Sequence, residues 1–395
     1  NWRKFRYEPH ELGAVLLTHA HLDHTGLLPR LVAEGFEGQS YCSKPSRGLG
    51  SLILQDAGHL QEEQARYAAK KGYSRHAEPR PLYPAKDARR SLKLLQTLPF
   101  DQATEILPGI RVRFRRAGHL LGAASLEIQA KGSDGQRRSW CFSGDVGRYD
   151  VPIIKDPEPA LDPPAALVLE STYGDRHHQQ SDPERRFREV IQRVFQRGGT
   201  VIIPAFALGR TQEVLYHLSE LANDGELDPE VVFLDSPMAI KATDLYDQAT
   251  AEHDEDLLEL VEQHLDPLAP DRFQRCLSSE QSKALNKRTE PAVIVAASGM
   301  ATGGRVVHHL KHRLADARNA VVFVGYQAGG TRGRALVDGA ETVSIHGQPV
   351  PVEAEILSLH GLSAHADQAE LVRWFGDLPA VPGQVFLNHG EDQSR

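Results

Sequence analysis

Three imidazoles and a carboxylate fall within the segment Thr18-His19-Ala20-His21-Leu22-Asp23-His24. Nitrogen and oxygen donors at that density suit zinc. The run Ala14 to Leu17 reads as a buried strand, so the cluster sits where a strand ends and a loop begins. In an extended turn His19 and His21 can face one metal while Asp23 and His24 face a neighbour. A pair of metals needs further donors, also expected at strand ends. His119 follows a predicted strand over 110–114 and is placed to complete the first site. Asp145 follows a strand ending at Phe142, and its two oxygens can bridge both sites. Taken singly, His119 reads equally well as a satisfied buried histidine and Asp145 as a turn residue; the first cluster gives them their meaning. Near the far end, His389 follows the apolar run Val385-Phe386-Leu387 and offers the terminal donor for the second site. Asp367 and Glu370 match a capping box for a helix expected to bury Leu371, Val372, Trp374 and Phe375. That leaves His365, in the loop just before, free to face the metals.

The elements that must hold these groups are of α/β type. Short strands are expected at 110–114, 124–130 and 139–143, joined by polar turns such as Gly132-Ser133-Asp134-Gly135. From about residue 198 strand and helix alternate: 200–204 before 210–223, 231–235 before 239–249, and 292–297 before 305–314, with another strand at 320–325. Such units call for a parallel sheet with crossover helices. The stretches 156–164 and 174–183 are candidate boundaries, and the strand-like run 352–359 suggests a return to the first domain. We therefore expect a first domain over 1–175, an inserted one over 176–350 and a return over 351–395. The segment Ser298 to Arg305 follows a strand and opens a helix, where backbone N–H groups and the helix dipole can hold phosphate. Ser298, Gly299, Gly303 and Gly304 would supply that loop, and Arg210, Arg305, Lys311, Arg332 and Arg334 are candidates for side-chain contacts to phosphate.

Composition narrows the class. With 40% hydrophobic and 25% charged residues, disordered, fibrous and membrane proteins are poor fits. A net charge of −8 argues against a chain that coats nucleic acid without selectivity, though a local basic groove is compatible with it. Cys42, Cys141 and Cys276 lie far apart with no CxxC spacing, as packed thiols of a reduced, cytoplasmic compartment would. The chain lacks an initiating Met, and Asn1 lies about 13 residues before the first predicted strand, so we expect a fragment whose leader, if any, lies upstream.

The succession His19-x-His21-x-Asp23-His24, His119, Asp145, His389 resembles the metallo-β-lactamase superfamily, mostly two-metal hydrolases with an αββα sandwich. The long interval between Asp145 and His389 then looks like an inserted domain. Leu169-Glu170-Ser171-Thr172-Tyr173-Gly174, Pro204 to Arg210, Ser298 to Arg305, Ser363 to Asp367 and Asn388 to Glu391 resemble the β-CASP branch, which processes nucleic acids and includes the cleavage and polyadenylation endonuclease subunit. The resemblance covers almost all of the chain. It implies an αββα fold with an inserted parallel-sheet domain and two Zn2+, or Mn2+ or Fe2+ in their place. Histidine at the position of His389 implies RNA rather than DNA as substrate, and the cluster pattern fits the polyadenylation-factor-like branch better than the RNase J group. Opening strands and a first aspartate would precede Asn1. On this reading His365 protonates the leaving oxygen, oriented by Glu170, and Asp23 is counted with them as catalytic as well as a metal ligand. No membrane partner is implied, endonuclease and exonuclease action are both compatible, and a homodimer is left open. Three rivals are weighed. A small-molecule hydrolase gives no reason for the insertion; a flavin-partnered di-iron oxidoreductase would carry glutamate where His21 stands; an inactive RNA-binding scaffold would have lost ligands that are intact here.

Overall fold

The computed structural model describes residues 3–71, 78–132, 134–178, 182–263, 265–268, 272–359 and 361–395. Asn1, Ser133 of the predicted turn and 179–181 of the predicted boundary lie outside them. The chain divides into two compact units, one made of 1–149, 156–176 and 365–395 and the other of 150–155 and 177–364.

The first unit stacks two sheets between helices. A parallel three-stranded sheet has Gln39–Cys42 at its centre, flanked by Ala14–Leu16 and Leu95–Thr97. A six-stranded sheet runs in the order Gln384–Asn388, Pro164–Glu170, Arg137–Phe142, Ala124–Lys131, Ile110–Arg116, Thr104–Leu107. The first two pairings are parallel and the others antiparallel. Val112, Phe114, Ala124 and Leu126 alternate along their strands, and so share one face; they meet Tyr41, Ala14 and Leu16 of the smaller sheet. The outer face of the smaller sheet is covered by Leu28, Leu31 and Val32 of the helix Leu28–Ala33. On the far side, Leu371 and Trp374 of the helix Gln368–Gly376 pack on Cys141, Leu167 and Leu169. The layers are thus αββα. Val372, expected inside, is 65% exposed: positions 371, 374 and 375 share a face at 3.6 residues per turn, and 372 is turned about 100° from 371.

The second unit is a six-stranded parallel sheet ordered Gln274–Arg275, Val232–Leu234, Ala292–Ala296, Thr200–Pro204, Ala320–Phe323, Glu355–Ser358. Both faces of its central strands are buried, and they read accordingly as unbroken apolar runs such as Val201-Ile202-Ile203. Val201 and Ile203 face the helices Pro183–Gln196 and Arg210–Asn223, while Ile202 faces Val306–Arg313 and its neighbours. The return to the first domain was expected at 351. Glu355–Ser358 pairs in parallel with Ala320–Phe323, and the first unit resumes only at His365. A strand's apolar pattern marks it as buried without saying which sheet will take it.

All three cysteines are free and buried. Among the described residues no helix is long and apolar enough to cross a membrane.

Candidate metal centre

The centre is assembled at the ends of strands in the first unit. After Ala14–Leu16 the chain turns through His19 and His21 into the short helix Leu22–Thr25, which carries Asp23 and His24. His119 and Asp145 come from the loops after Ile110–Arg116 and Arg137–Phe142. Those two loops are drawn together at Gly147, whose N–H donates to the Ala117 carbonyl at 2.6 Å. A Cβ there would lie 1.8 Å from the Gly118 carbonyl oxygen, so only glycine permits this approach.

His21 Nδ1 lies 3.2 Å from His19 Nε2 and 3.1 Å from His119 Nε2. Asp145 Oδ2 is 3.4 Å from His19 Nε2 and 3.6 Å from His119 Nε2. One ring nitrogen facing two others cannot be satisfied by a single proton. Four donors held tetrahedrally about 2.0–2.2 Å from zinc, by contrast, stand roughly 3.3–3.6 Å apart. A second group lies beside the first. Asp23 Oδ2 is 3.6 Å from His24 Nε2 and 3.4 Å from His389 Nε2, while Asp145 Oδ1 is 3.3 Å from His24 Nε2 and 4.0 Å from His389 Nε2. Asp145 Oδ1 is buried without a hydrogen-bond partner, a costly state that a cation relieves. The donor set therefore fits two adjacent divalent ions with Asp145 between them, and each of the two donor groups is compact enough to hold an ion.

Electrostatics divide the two halves. Burial lowers the pKa of His19, of His21 to about 3, and of His119, so all three present neutral nitrogens. Burial would raise the Asp145 carboxyl, but the close approach of His19, His24 and His119 holds it below its ordinary range. In the other half, the hydrogen bond between Asp23 and His389 lowers Asp23 to about 2 and raises His389 to about 9.

His365 stands beside the centre. Its ring is 4.4 Å from that of His119, and its Nδ1 is 3.0 Å from Glu170 Oε1. Burial opposes its protonation, but the charge and hydrogen bond of Glu170 prevail and raise its pKa. Glu170 is itself fixed, accepting from the Val146 N–H at 2.9 Å and the Thr172 N–H at 3.0 Å. Asp367 caps the following helix in a capping box with Glu370.

Two residues that the sequence reading passed over orient the imidazoles. Thr18 Oγ1 is 3.1 Å from His19 Nδ1 and 3.4 Å from His24 Nδ1. Two Nδ1–H groups donating to that oxygen leave both Nε2 lone pairs for metal. Thr172 Oγ1 does the same for His389 Nδ1 at 3.2 Å, and the Ser171 hydroxyl donates to the His389 carbonyl at 2.8 Å. The available signal was adjacency to His19 for Thr18 and a place two residues after Glu170 for Thr172.

The structure places the expected phosphate loop after Ala292–Ala296 and before Val306–Arg313. Within it Ser298 Oγ is 3.3 Å from Thr302 Oγ1, Gly299 underlies the Phe206 ring, and Gly303 and Gly304 close the turn. Its arginines are committed elsewhere. Arg305 donates to Asp235 at 2.7 Å and to the carbonyls of Cys276 and Leu277 at 2.7 and 3.1 Å. Arg210 is buried against Glu213, Arg332 binds the carbonyls of Ser344 and Ala301, and Arg334 pairs with Asp338. Arg305 and Arg210, expected to meet phosphate, are each held by a carboxylate of their own unit.

Three family descriptions match successive parts of the chain: the metallo-beta-lactamase superfamily over residues 2–188, the Beta-Casp domain over 211–336, and the Zn-dependent metallo-hydrolase RNA specificity domain over 349–395. The chain belongs to the β-CASP branch of the metallo-β-lactamase superfamily, a class of metal-dependent hydrolases. It is similar to a ribonuclease of Thermus thermophilus, 37% identical over 100% of this chain and 84% of that protein. It also resembles a transcription termination factor of Methanocaldococcus jannaschii, 32% identical over 97% of this chain but only 59% of that longer protein. A solved structure of a protein of unknown function from Enterococcus faecalis matches with a TM-score of 0.48 at 13% identity, covering 95% of this chain and 75% of that one.

Proposed function

We propose that the protein is a two-zinc phosphodiesterase that cleaves RNA internally, leaving a 5′-phosphate and a 3′-hydroxyl. The observation that carries the reading is the pair of donor sets joined through Asp145, with a buried His365–Glu170 pair at their margin. His19, His21, His119 and Asp145 would hold one ion, and Asp23, His24, Asp145 and His389 the other. Two ions so held would lower the pKa of a shared water and neutralise charge on a phosphodiester. Asp23, which contacts His24 and His389, is the most exposed of the ligands. His365 donates through Nδ1 to Glu170, and its Nε2 would deliver a proton to the departing 3′ oxygen as the P–O3′ bond breaks. The ribonuclease relative and the RNA-specificity match favour RNA over small molecules. The complete ligand set favours an enzyme over an inactive scaffold.

The test uses metal-loaded protein with RNA and DNA of one sequence, labelled at the 5′ end and, separately, internally. Internal RNA fragments that vanish with chelator are expected. Mononucleotides alone would replace the internal mode with an exonuclease, and an untouched RNA would refute the reading. His365→Ala should slow cleavage by about 10²–10⁴-fold, the usual worth of a positioned acid, with zinc content unchanged; loss of zinc would make His365 a ligand instead.

A further inference from the structure

The helix Ala85–Leu92, with the residue after it, places Lys86, Arg89, Arg90 and Lys93 at i, i+3, i+4 and i+7, one face of the helix. All four are exposed, while Ala88 and Ser91 on the opposite face are buried. Among the described residues none of the four meets a carboxylate. Several other exposed arginines are held by acids: Arg138 pairs with Asp134, Arg185 with Glu189, Arg318 with Asp316 and Arg334 with Asp338. In a chain of net charge −8, four uncompensated cations on one face form a local positive field. The helix's one acid, Asp87, lies about 100° round the helix from Lys86 and about 60° from Arg90, and among the described residues it makes no ion pair with either.

The stripe is also rigidly mounted. Ala88 and Tyr83 pack on Leu54 and Ala57 of the long helix Lys44–Lys71. Gly58 of that helix lets the start of the short one come close, since a Cβ there would stand 2.9 Å from Ala85 Cα. Leu92 and Leu94 join the core beneath Leu28 and Leu31, on the helix that follows the HxHxDH loop. Arginines fixed on a packed helix lose less entropy on binding than the same groups on a loop.

We propose that this face is a phosphate track that holds single-stranded RNA on the same unit as the metal centre; the proposal rests on the RNA-cleaving reading above. Seven residues of helix span about 10 Å, long enough to face more than one phosphate of an RNA strand. The face carries no exposed aliphatic or aromatic side chain to enter a membrane. Spaced phosphates match its periodic cations without any need for shape.

The full chain with metal bound is assayed for binding to a long unstructured oligouridylate across a range of salt. Lys86→Gln with Arg89→Gln should reduce the slope of log affinity against log salt by about 1.4, at about 0.7 for each phosphate left without its cation. In cleavage KM for the long RNA should rise while kcat, and KM for a very short RNA, stay put. Arg185→Gln with Arg318→Gln removes the same charge from arginines that already have carboxylates and should leave the slope unchanged. An unaltered slope in the first double variant, or an equal change in the control, overturns the track. So does a first variant that binds RNA normally but no longer binds polyglutamate, which would assign the face to an acidic protein. Because binding is read without cleavage, a protein that binds RNA but does not cut it would sink the nuclease reading and leave the track standing.

Discussion

Thr18 offers a sharp test of how the centre is organised, because one hydroxyl oxygen serves two imidazoles assigned to different ions. Thr18→Val keeps the shape of the side chain and removes that oxygen. Loss of an outer hydrogen-bond partner of a ligating histidine usually costs about 10–100-fold in metal affinity. The hydrogen bond to His19 Nδ1 is 3.1 Å long and that to His24 Nδ1 is 3.4 Å, and such a bond weakens toward the long end of its range. The site holding His19 should therefore weaken by tens-fold, about 2 kcal/mol, and the site holding His24 by less than about tenfold. His19 is also fully buried, so water cannot replace the missing acceptor, whereas His24 is partly accessible. Competition with a chromophoric chelator measures both affinities, and a thermal melt of the metal-free protein checks that the fold is intact. Thr18→Ser should restore most of the affinity. Equal weakening of both sites, or none, would refute the assignment of His19 and His24 to separate ions and the orienting role of Thr18.

Two further outcomes follow from the charges. At pH 7 the metal-free protein should carry a proton on His389, whose pKa Asp23 raises to about 9, while burial keeps His19, His21 and His119 neutral. Filling the second site should then release about one proton and filling the first close to none; calorimetric titration in buffers of different ionisation enthalpy reads this directly, and equal release at both steps would contradict it. In the second unit, Asp235 is fully buried and accepts from Ser282 at 2.6 Å, His309 at 2.6 Å and Arg305 at 2.7 Å. Asp235→Ala strands those groups and should cost about 3–5 kcal/mol, the penalty for breaking a buried ion pair, with zinc content unchanged; denaturant unfolding showing less than about 1 kcal/mol would mean that the groups find other partners.

The sequence announced the centre more fully than the architecture around it. His19, His21, Asp23 and His24 are crowded into one loop, and such crowding has few explanations other than coordination. His119, Asp145 and His389 were legible only as strand-end residues awaiting a common destination. Strands with continuous apolar runs, such as Thr200–Pro204 and Ala292–Ala296, were readable because burial on both faces suppresses alternation. Leu95–Thr97 was not, since three residues of which two are exposed leave no pattern. Lys44–Lys71 escaped notice for another reason. It opens with Pro45 and Gly48 and ends in a polar, largely exposed half, so neither its start nor its apolar stripe stands out.

What the sequence could not convey is the direction in which a long side chain is spent. Arg305 closes a glycine-rich turn at a helix start and Arg210 opens a helix after Gly209, and each meets a carboxylate of its own unit. Lys86, Arg89, Arg90 and Lys93 attracted no attention, since a charged helix face is ordinarily only a solvated one. The difference lies in compensation. A guanidinium already held by a carboxylate must give up that partner to bind phosphate, and the exchange returns little. A cation with no such partner gains the whole interaction and releases the counterions of the nucleic acid as well. In a chain whose acids outnumber its bases, the unpaired cations rather than the motif-bearing ones are where an RNA strand should be expected to lie.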